Sequence, residues 1–205
     1  KELQSIVDYT RAPGATGSPM CQLEAAADGY SETDGTKHQC GALLRKAFVV
    51  VSPQTAHGWK EGDLLAFTQR LLASDLGQRL DTSRLYVTGL SAGGAGAFNA
   101  ALTKLFAAVV AVCPAKSAGD WCQKLQGTPT WILHGENDTI VGIERSAGVE
   151  KRCQRYGITP PVIFTRYARS PAPVGYPRYK GHASWMQAYE GDDVFRWLLE
   201  HKLNT

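Results

Sequence analysis

The stretch Tyr86-Val87-Thr88-Gly89-Leu90-Ser91-Ala92-Gly93-Gly94 constrains this chain more than any other. An apolar, β-branched run enters a Gly-x-Ser-x-Gly pentapeptide, and a segment of small residues leaves it, which reads as strand, sharp turn and helix. Gly89 and Gly93 lack a Cβ, so the two backbones can approach each other and Ser91 is expected in a strained conformation. Such a turn lifts the serine hydroxyl above the end of a sheet. It stands there beside a helix N-terminus, whose N–H groups favour a developing negative charge.

The rest of the chain supplies the sheet that this turn needs. Past residue 45, strand and helix patterns alternate, the signature of a mostly parallel sheet flanked by helices. Ala47 to Ser52 reads as a buried strand stopped by Pro53, and Leu64 to Leu80 as a helix with Asp63 as N-cap. Leu85 to Leu90 leads into the turn and Ala92 to Leu105 leaves it as a helix. Strands are expected at Phe106 to Cys113, Pro129 to Leu133 and Pro161 to Tyr167, and helices at Ile143 to Tyr156 and Asp192 to Lys202. Ser170 to Gly181, rich in Pro, Gly and Tyr, is a loop. Residues 10 to 40 show little periodicity, with a short helix at most near Gln22 to Ala27.

At 205 residues the chain is expected to form one domain, 1–205, and nothing in it is long enough to build a separate cap. Net charge is only +3, with acids and bases interspersed, which gives no case for nucleic acid or an anionic membrane as a partner. The longest apolar run, Leu105 to Cys113, is too short for a membrane span. The sequence shows no signal-peptide pattern, removal of one before Lys1 being the alternative; compartment and oligomeric state are left open. Five cysteines (Cys21, Cys40, Cys113, Cys122, Cys153) form no C-x-x-C pair and no metal-ligand spacing. Cys21 with Cys40, or Cys113 with Cys122, could close short disulfide loops, and separate buried thiols are the equal alternative.

A serine hydroxyl is a poor nucleophile at neutral pH, so it needs a base and a group that orients the base. Asp138 lies just past the strand Trp131-Ile132-Leu133, in His134-Gly135-Glu136-Asn137-Asp138, where open α/β sheets build their sites. His182 lies between the last strand and the last helix, in Gly181-His182-Ala183-Ser184-Trp185. Glu136 is an alternative orienting acid. His57 is a rival base, although it precedes Ser91 in an order this architecture does not use. His134 reads as structural, its ring bonded to nearby backbone.

These residues carry a resemblance. Phe48-Val49-Val50-Val51-Ser52-Pro53-Gln54, the Gly-x-Ser-x-Gly turn, the His-Gly-x-x-Asp loop and Gly-His-x-Ser-Trp together resemble the α/β-hydrolases, in particular the dienelactone-hydrolase, polyhydroxybutyrate-depolymerase-like and "predicted peptidase" group of serine esterases. The resemblance covers the chain from about Phe48 to its end. It implies an α/β-hydrolase fold without a large cap, and the departure from the family pattern described below leaves the N-terminus to be reduced or divergent. It also implies Ser91 as nucleophile, His182 as general base and then acid, and Asp138 as the residue that orients the imidazole.

The oxyanion hole departs from that pattern. One donor is expected to be the backbone N–H of Ala92. The other normally comes from a His-Gly-x-Gly loop, which this sequence lacks; the nearest counterpart follows Ser5 to Tyr9, where Arg11 or Ala12 would supply the N–H. Trp59 and Trp185 are candidate walls of the substrate pocket, each with a packing role as the alternative. The expected activity is cleavage of a small carboxylic ester through an acyl-enzyme, with no metal and no organic cofactor. A peptidase or amidase with the same residues, or an inactive binding protein of the same fold, are the alternatives.

Overall fold

The computed structural model describes residues 42–173 and 175–203. Its centre is a parallel sheet of four strands, β1 (Tyr86–Leu90), β2 (Ala108–Val112), β3 (Thr130–Gly135) and β4 (Ile163–Tyr167), in the spatial order β1-β2-β3-β4. The helices are α1 (Ala42–Ala47), α2 (Glu61–Ala73), α3 (Ala92–Ala101), α4 (Glu144–Arg155), α5 (Ser184–Ala188) and α6 (Asp193–Leu199). α3 connects β1 to β2, a short 3₁₀ turn at Asp120–Leu125 lies between β2 and β3, and α4 connects β3 to β4.

β2 shows why the sheet forms. Its five residues, Ala-Val-Val-Ala-Val, are all fully buried, and successive side chains enter opposite layers. Ala108, Val110 and Val112 join a cluster with Leu133, Trp185, Tyr189, Phe195 and Leu198. Val109 and Ala111 join a second cluster with Phe98, Leu125, Ile132, Val149 and Cys153. A strand covered on both faces has no polar side to show, hence the unbroken apolar run in the sequence. The result is the expected parallel sheet with a helix-covered core on each face.

Several expected boundaries move. Ala47 to Ser52 is not a strand: Ala47 ends α1, the N–H of Phe48 donates to the Leu44 carbonyl at 3.3 Å, and residues 48–52 join no ladder among the described residues. Phe48 and Val50 still pack on the first cluster while Val49 between them is 57% exposed. The alternation that suggested a strand is therefore genuine one-sided burial, but burial alone makes no strand where no backbone among the described residues pairs with it. α2 starts at Glu61 with Lys60 as N-cap, so Asp63 sits inside its first turn, and it ends at Ala73 rather than Leu80. Ser74 turns extended there and its hydroxyl donates to the Leu71 carbonyl at 2.6 Å. α3 stops at Ala101, before Leu105, and Lys104 takes a left-handed φ of 64°. β3 runs on through His134 and Gly135, and α5, unforeseen in the sequence, begins two residues after His182.

Cys113, Cys122 and Cys153 are free, buried thiols. A Cys113–Cys122 disulfide is ruled out by position, because the two side chains belong to the clusters on opposite faces of the sheet. Cys21, Cys40, the Gln22 to Ala27 helix and the Ser5 to Tyr9 segment lie outside the described residues. Among the described residues, no helix is long and apolar enough to cross a membrane.

Candidate active site

The strand register brings three loops together. Leu90 pairs with Val112, Val112 with Leu133, and Gly135 with Tyr167, so the C-terminal ends of the strands align. The ladder continues one residue further: Ser91 N–H donates to Val112 O at 3.0 Å, Cys113 N–H to Leu133 O at 2.8 Å, and Glu136 N–H to Tyr167 O at 2.8 Å. Ser91, Asp138 and, beyond β4, His182 thus leave the same end of the sheet, where this architecture places its ligands.

Ser91 has φ 54° and ψ −118°, a conformation that a residue with a side chain rarely adopts. Two bonds hold it there: its carbonyl accepts from Ala95 N–H at 3.2 Å, inside α3, and from Ala115 N–H at 2.9 Å, in the loop after β2. Close packing finishes the turn. A Cβ on Gly89 would lie 2.3 Å from the carbonyl oxygen of Gly93, whereas a Cβ on Gly93 would meet nothing within 4 Å. The two flanking glycines are therefore not equivalent, and only Gly89 is required by the approach of strand to helix.

Ser91 Oγ lies 3.0 Å from His182 Nε2, and His182 Nδ1 lies 2.8 Å from Asp138 Oδ2. A carboxylate oxygen only accepts, so Nδ1 carries the proton and Nε2 is free to accept from the serine hydroxyl. His182 is 6% and Asp138 8% exposed. Burial by itself would raise the Asp138 carboxyl, but hydrogen bonds from His134 and His182, and from the Val141 and Ile140 N–H groups, outweigh it and hold the acid well below the usual carboxylate range. Oδ1 takes the two backbone donors, at 2.8 Å from Ile140 and 2.9 Å from Val141.

The loop carrying His182 is tied down on several sides. Asn137 clamps the chain after β4, accepting from Ser170 N–H at 2.8 Å and donating to Ser170 O at 3.0 Å. The Cys113 thiol donates to the His182 carbonyl at 3.5 Å, and burial pushes that thiol up to about 12. Tyr189, just past α5, sits with its hydroxyl 2.6 Å from Thr88 Oγ1 on β1. Trp185 meets the His182 ring edge-on, centroids 5.5 Å apart, from within the first core cluster.

Cys113, Asp138 and His182 also bring their donor atoms within 4.8 Å of one another, the grouping among the described residues best disposed toward a metal ion. The donor chemistry fits poorly. His182 Nδ1 and the carboxylate already bond each other, and the Cys113 thiol is spent on the His182 carbonyl.

The other sequence candidates fall as follows. Ala92 is the first residue of α3, where the backbone N–H has no intrahelical acceptor. Arg11 and Ala12 lie outside the described residues. Trp59 packs on α3 at Gly96, where a Cβ would come within 2.6 Å of its ring, and its carbonyl accepts from Asn99 Nδ2 at 2.5 Å. Glu136 is exposed and lines a shallow groove with Asn137, Arg169 and Lys180, while His57 is exposed in the loop before α2. His134 is fully buried and does bond backbone, as its reading as a structural histidine requires, but it also touches Asp138. Ser146, Cys113 and Tyr189 went unremarked as neighbours of this site. They sit on separate elements, and no spacing in the sequence links them to it.

The family described as PET hydrolase-like matches residues 54–149, just under half of the chain. Among solved structures the chain is similar to a thermostable esterase, with 29% identity and a TM-score of 0.57 over 69% of this chain and 37% of that one. It is similar in fold to the acylaminoacyl peptidase of Pyrococcus horikoshii (18% identity, TM-score 0.51, 68% of this chain and 27% of that one). The same holds for a protein of Klebsiella pneumoniae subsp. pneumoniae assigned as a dienelactone hydrolase (16%, 0.52, 69% and 62%). The chain thus spans less than two thirds of each of these proteins. Curated proteins yield no match in sequence. The chain thus has the α/β-hydrolase fold, and the proteins it is similar to are an esterase, a peptidase and an assigned dienelactone hydrolase.

Proposed function

We propose that this chain is a serine hydrolase that cleaves carboxylic esters through an acyl-enzyme. The observation that carries the reading is the unbroken line Ser91 Oγ–His182 Nε2, His182 Nδ1–Asp138 Oδ2, at 3.0 and 2.8 Å. His182 takes the proton as Ser91 Oγ attacks the ester carbonyl; the imidazolium that forms is stabilised by Asp138 and then protonates the leaving alkoxide. Water activated by the same imidazole attacks the acyl-enzyme and releases the acid and Ser91. The Ala92 N–H at the start of α3 supports the tetrahedral oxyanion. Ester cleavage is preferred to amide cleavage because an alkoxide leaves more easily than an amine, and the similarity to an esterase points the same way.

A fluorophosphonate probe tests the reading. Intact protein should take up label at Ser91, and Ser91→Ala should take up none. Absence of label on the wild-type protein, beside a serine esterase that labels, would refute it. Paired ester and anilide substrates with a common acyl group then separate esterase from peptidase.

A further inference from the structure

Behind the proposed Ser91–His182–Asp138 line stands a second imidazole. His134, at 0% exposure and the last-but-one residue of β3, places Nε2 2.8 Å from the Val141 carbonyl and 3.2 Å from Asp138 Oδ2, the same oxygen that receives His182 Nδ1. Its Nδ1 lies 2.7 Å from Ser146 Oγ, on the first turn of α4, and Ser146 is also fully buried. The tautomer follows from chemistry. A peptide carbonyl and a carboxylate both only accept, so Nε2 bears the hydrogen and shares it between them, and Nδ1 accepts from the Ser146 hydroxyl.

We infer that His134 is a positioning residue for the hydrolytic reaction: its Nε2–H, set by Ser146, anchors Asp138 Oδ2 so that this oxygen faces His182. The carboxylate needs such an anchor. Its Oδ1 is held by two backbone N–H groups, and the direction in which Oδ2 points is steadied further by what bonds Oδ2 itself. With His182 alone there, the charge partner would be its own guide. A donor behind Oδ2 fixes the oxygen whether His182 is neutral or charged, and it moderates how strongly the carboxylate draws a proton toward His182. Cys113 also lies against this pair, its thiol kept protonated by burial.

This inference rests on the proposed function, and its test separates the two. The rate of fluorophosphonate labelling at Ser91 is measured against pH for the wild type, His134→Asn, His134→Gln and Ser146→Ala, with circular dichroism confirming the fold of each. The Gln amide nitrogen reaches the place of Nε2, whereas the Asn amide reaches only that of Nδ1. His134→Asn should label on the order of tenfold more slowly, the usual cost of losing an outer partner. Its acid limb should also move toward higher pH, because a carboxylate with one donor fewer favours the charged imidazole more strongly. His134→Gln should restore most of the rate and the wild-type limb. Ser146→Ala should slow labelling about two- to fivefold, and it carries the test if His134→Asn does not fold. Wild-type rate and an unchanged acid limb in a folded His134→Asn or Ser146→Ala, or equal impairment of the Asn and Gln variants, would overturn the inference while leaving Ser91 labelling intact. If the wild type itself takes no label, it is the proposed function that falls.

Discussion

Replacing Gly89 by alanine probes the close approach of strand to helix within the turn. The added Cβ would lie 2.3 Å from the carbonyl oxygen and 2.5 Å from the carbonyl carbon of Gly93. An ordinary C···O contact is about 3.3 Å or more, so strand and helix must separate by roughly 1 Å. Both offending atoms are backbone, which leaves no rotamer to relieve the clash. The cost therefore belongs at the upper end for overpacking, about 3 kcal/mol, offset by at most about 1 kcal/mol from replacing a strand glycine. For a domain of this size a net loss of about 2–3 kcal/mol lowers Tm by roughly 4–12 °C. The same shift carries Ser91 away from His182, and a displacement of about 1 Å in a reacting group costs on the order of 10²-fold in rate. Gly93→Ala is the control: its Cβ enters open space inside α3 and should stabilise the fold by about 0.5–1 kcal/mol. Thermal unfolding followed by circular dichroism, with fluorophosphonate labelling on the same samples, reads both effects. If Gly89→Ala melts within 2 °C of wild type and labels at full rate, or if Gly93→Ala proves the more damaging to stability, the reasoning is wrong.

Three further outcomes are expected. Asp138 stays ionised in the folded protein at a pH where the unfolded chain, with a carboxyl near the ordinary value of about 3.9, takes up a proton; its contribution to stability is complete above about pH 5 and drains away as pH falls below about 4, so urea midpoints should drop more steeply with acid in the wild type than in Asp138→Asn, and equal slopes would contradict this. Trp185 is 3% exposed in the core, so Trp185→Ala should lose about 3–5 kcal/mol in urea unfolding; a variant of unchanged stability with a raised KM would instead restore Trp185 to the substrate pocket. Cys113 is fully buried with its thiol pushed up to about 12, so iodoacetamide at pH 8 should leave it unmodified until the protein is unfolded, which peptide mass mapping can follow.

Much of this molecule is written locally. The run into Ser91, the glycine at 89 and the small residues after it are nearest neighbours in the chain. The strain of the turn and its place between strand and helix therefore needed no tertiary information. The two-sided burial of β2 was equally visible, because a strand covered on both faces has nothing polar to display. Asp138 and His182 were legible as loop residues beyond strand ends, in a chain order that suits one architecture.

What the tertiary structure decided is everything that depends on which backbones lie side by side. Residues 47–52 have the composition of a strand, yet their alternation reports a face pressed on a core, and no ladder forms without a paired backbone. Gly89 and Gly93 look alike in sequence and differ in space, since only one of them faces the other's carbonyl. His134 and Ser146 are neighbours because β3 ends where α4 begins to turn, and both stand behind Asp138 for a reason no spacing rule encodes: a buried carboxylate collects whichever donors the surrounding elements deliver to it. The sequence alone thus determined that a serine would stand at the end of a parallel sheet with an acid and an imidazole in reach. Packing determined how each is held, because hydrogen bonds between separate elements depend on geometry that only the assembled sheet supplies.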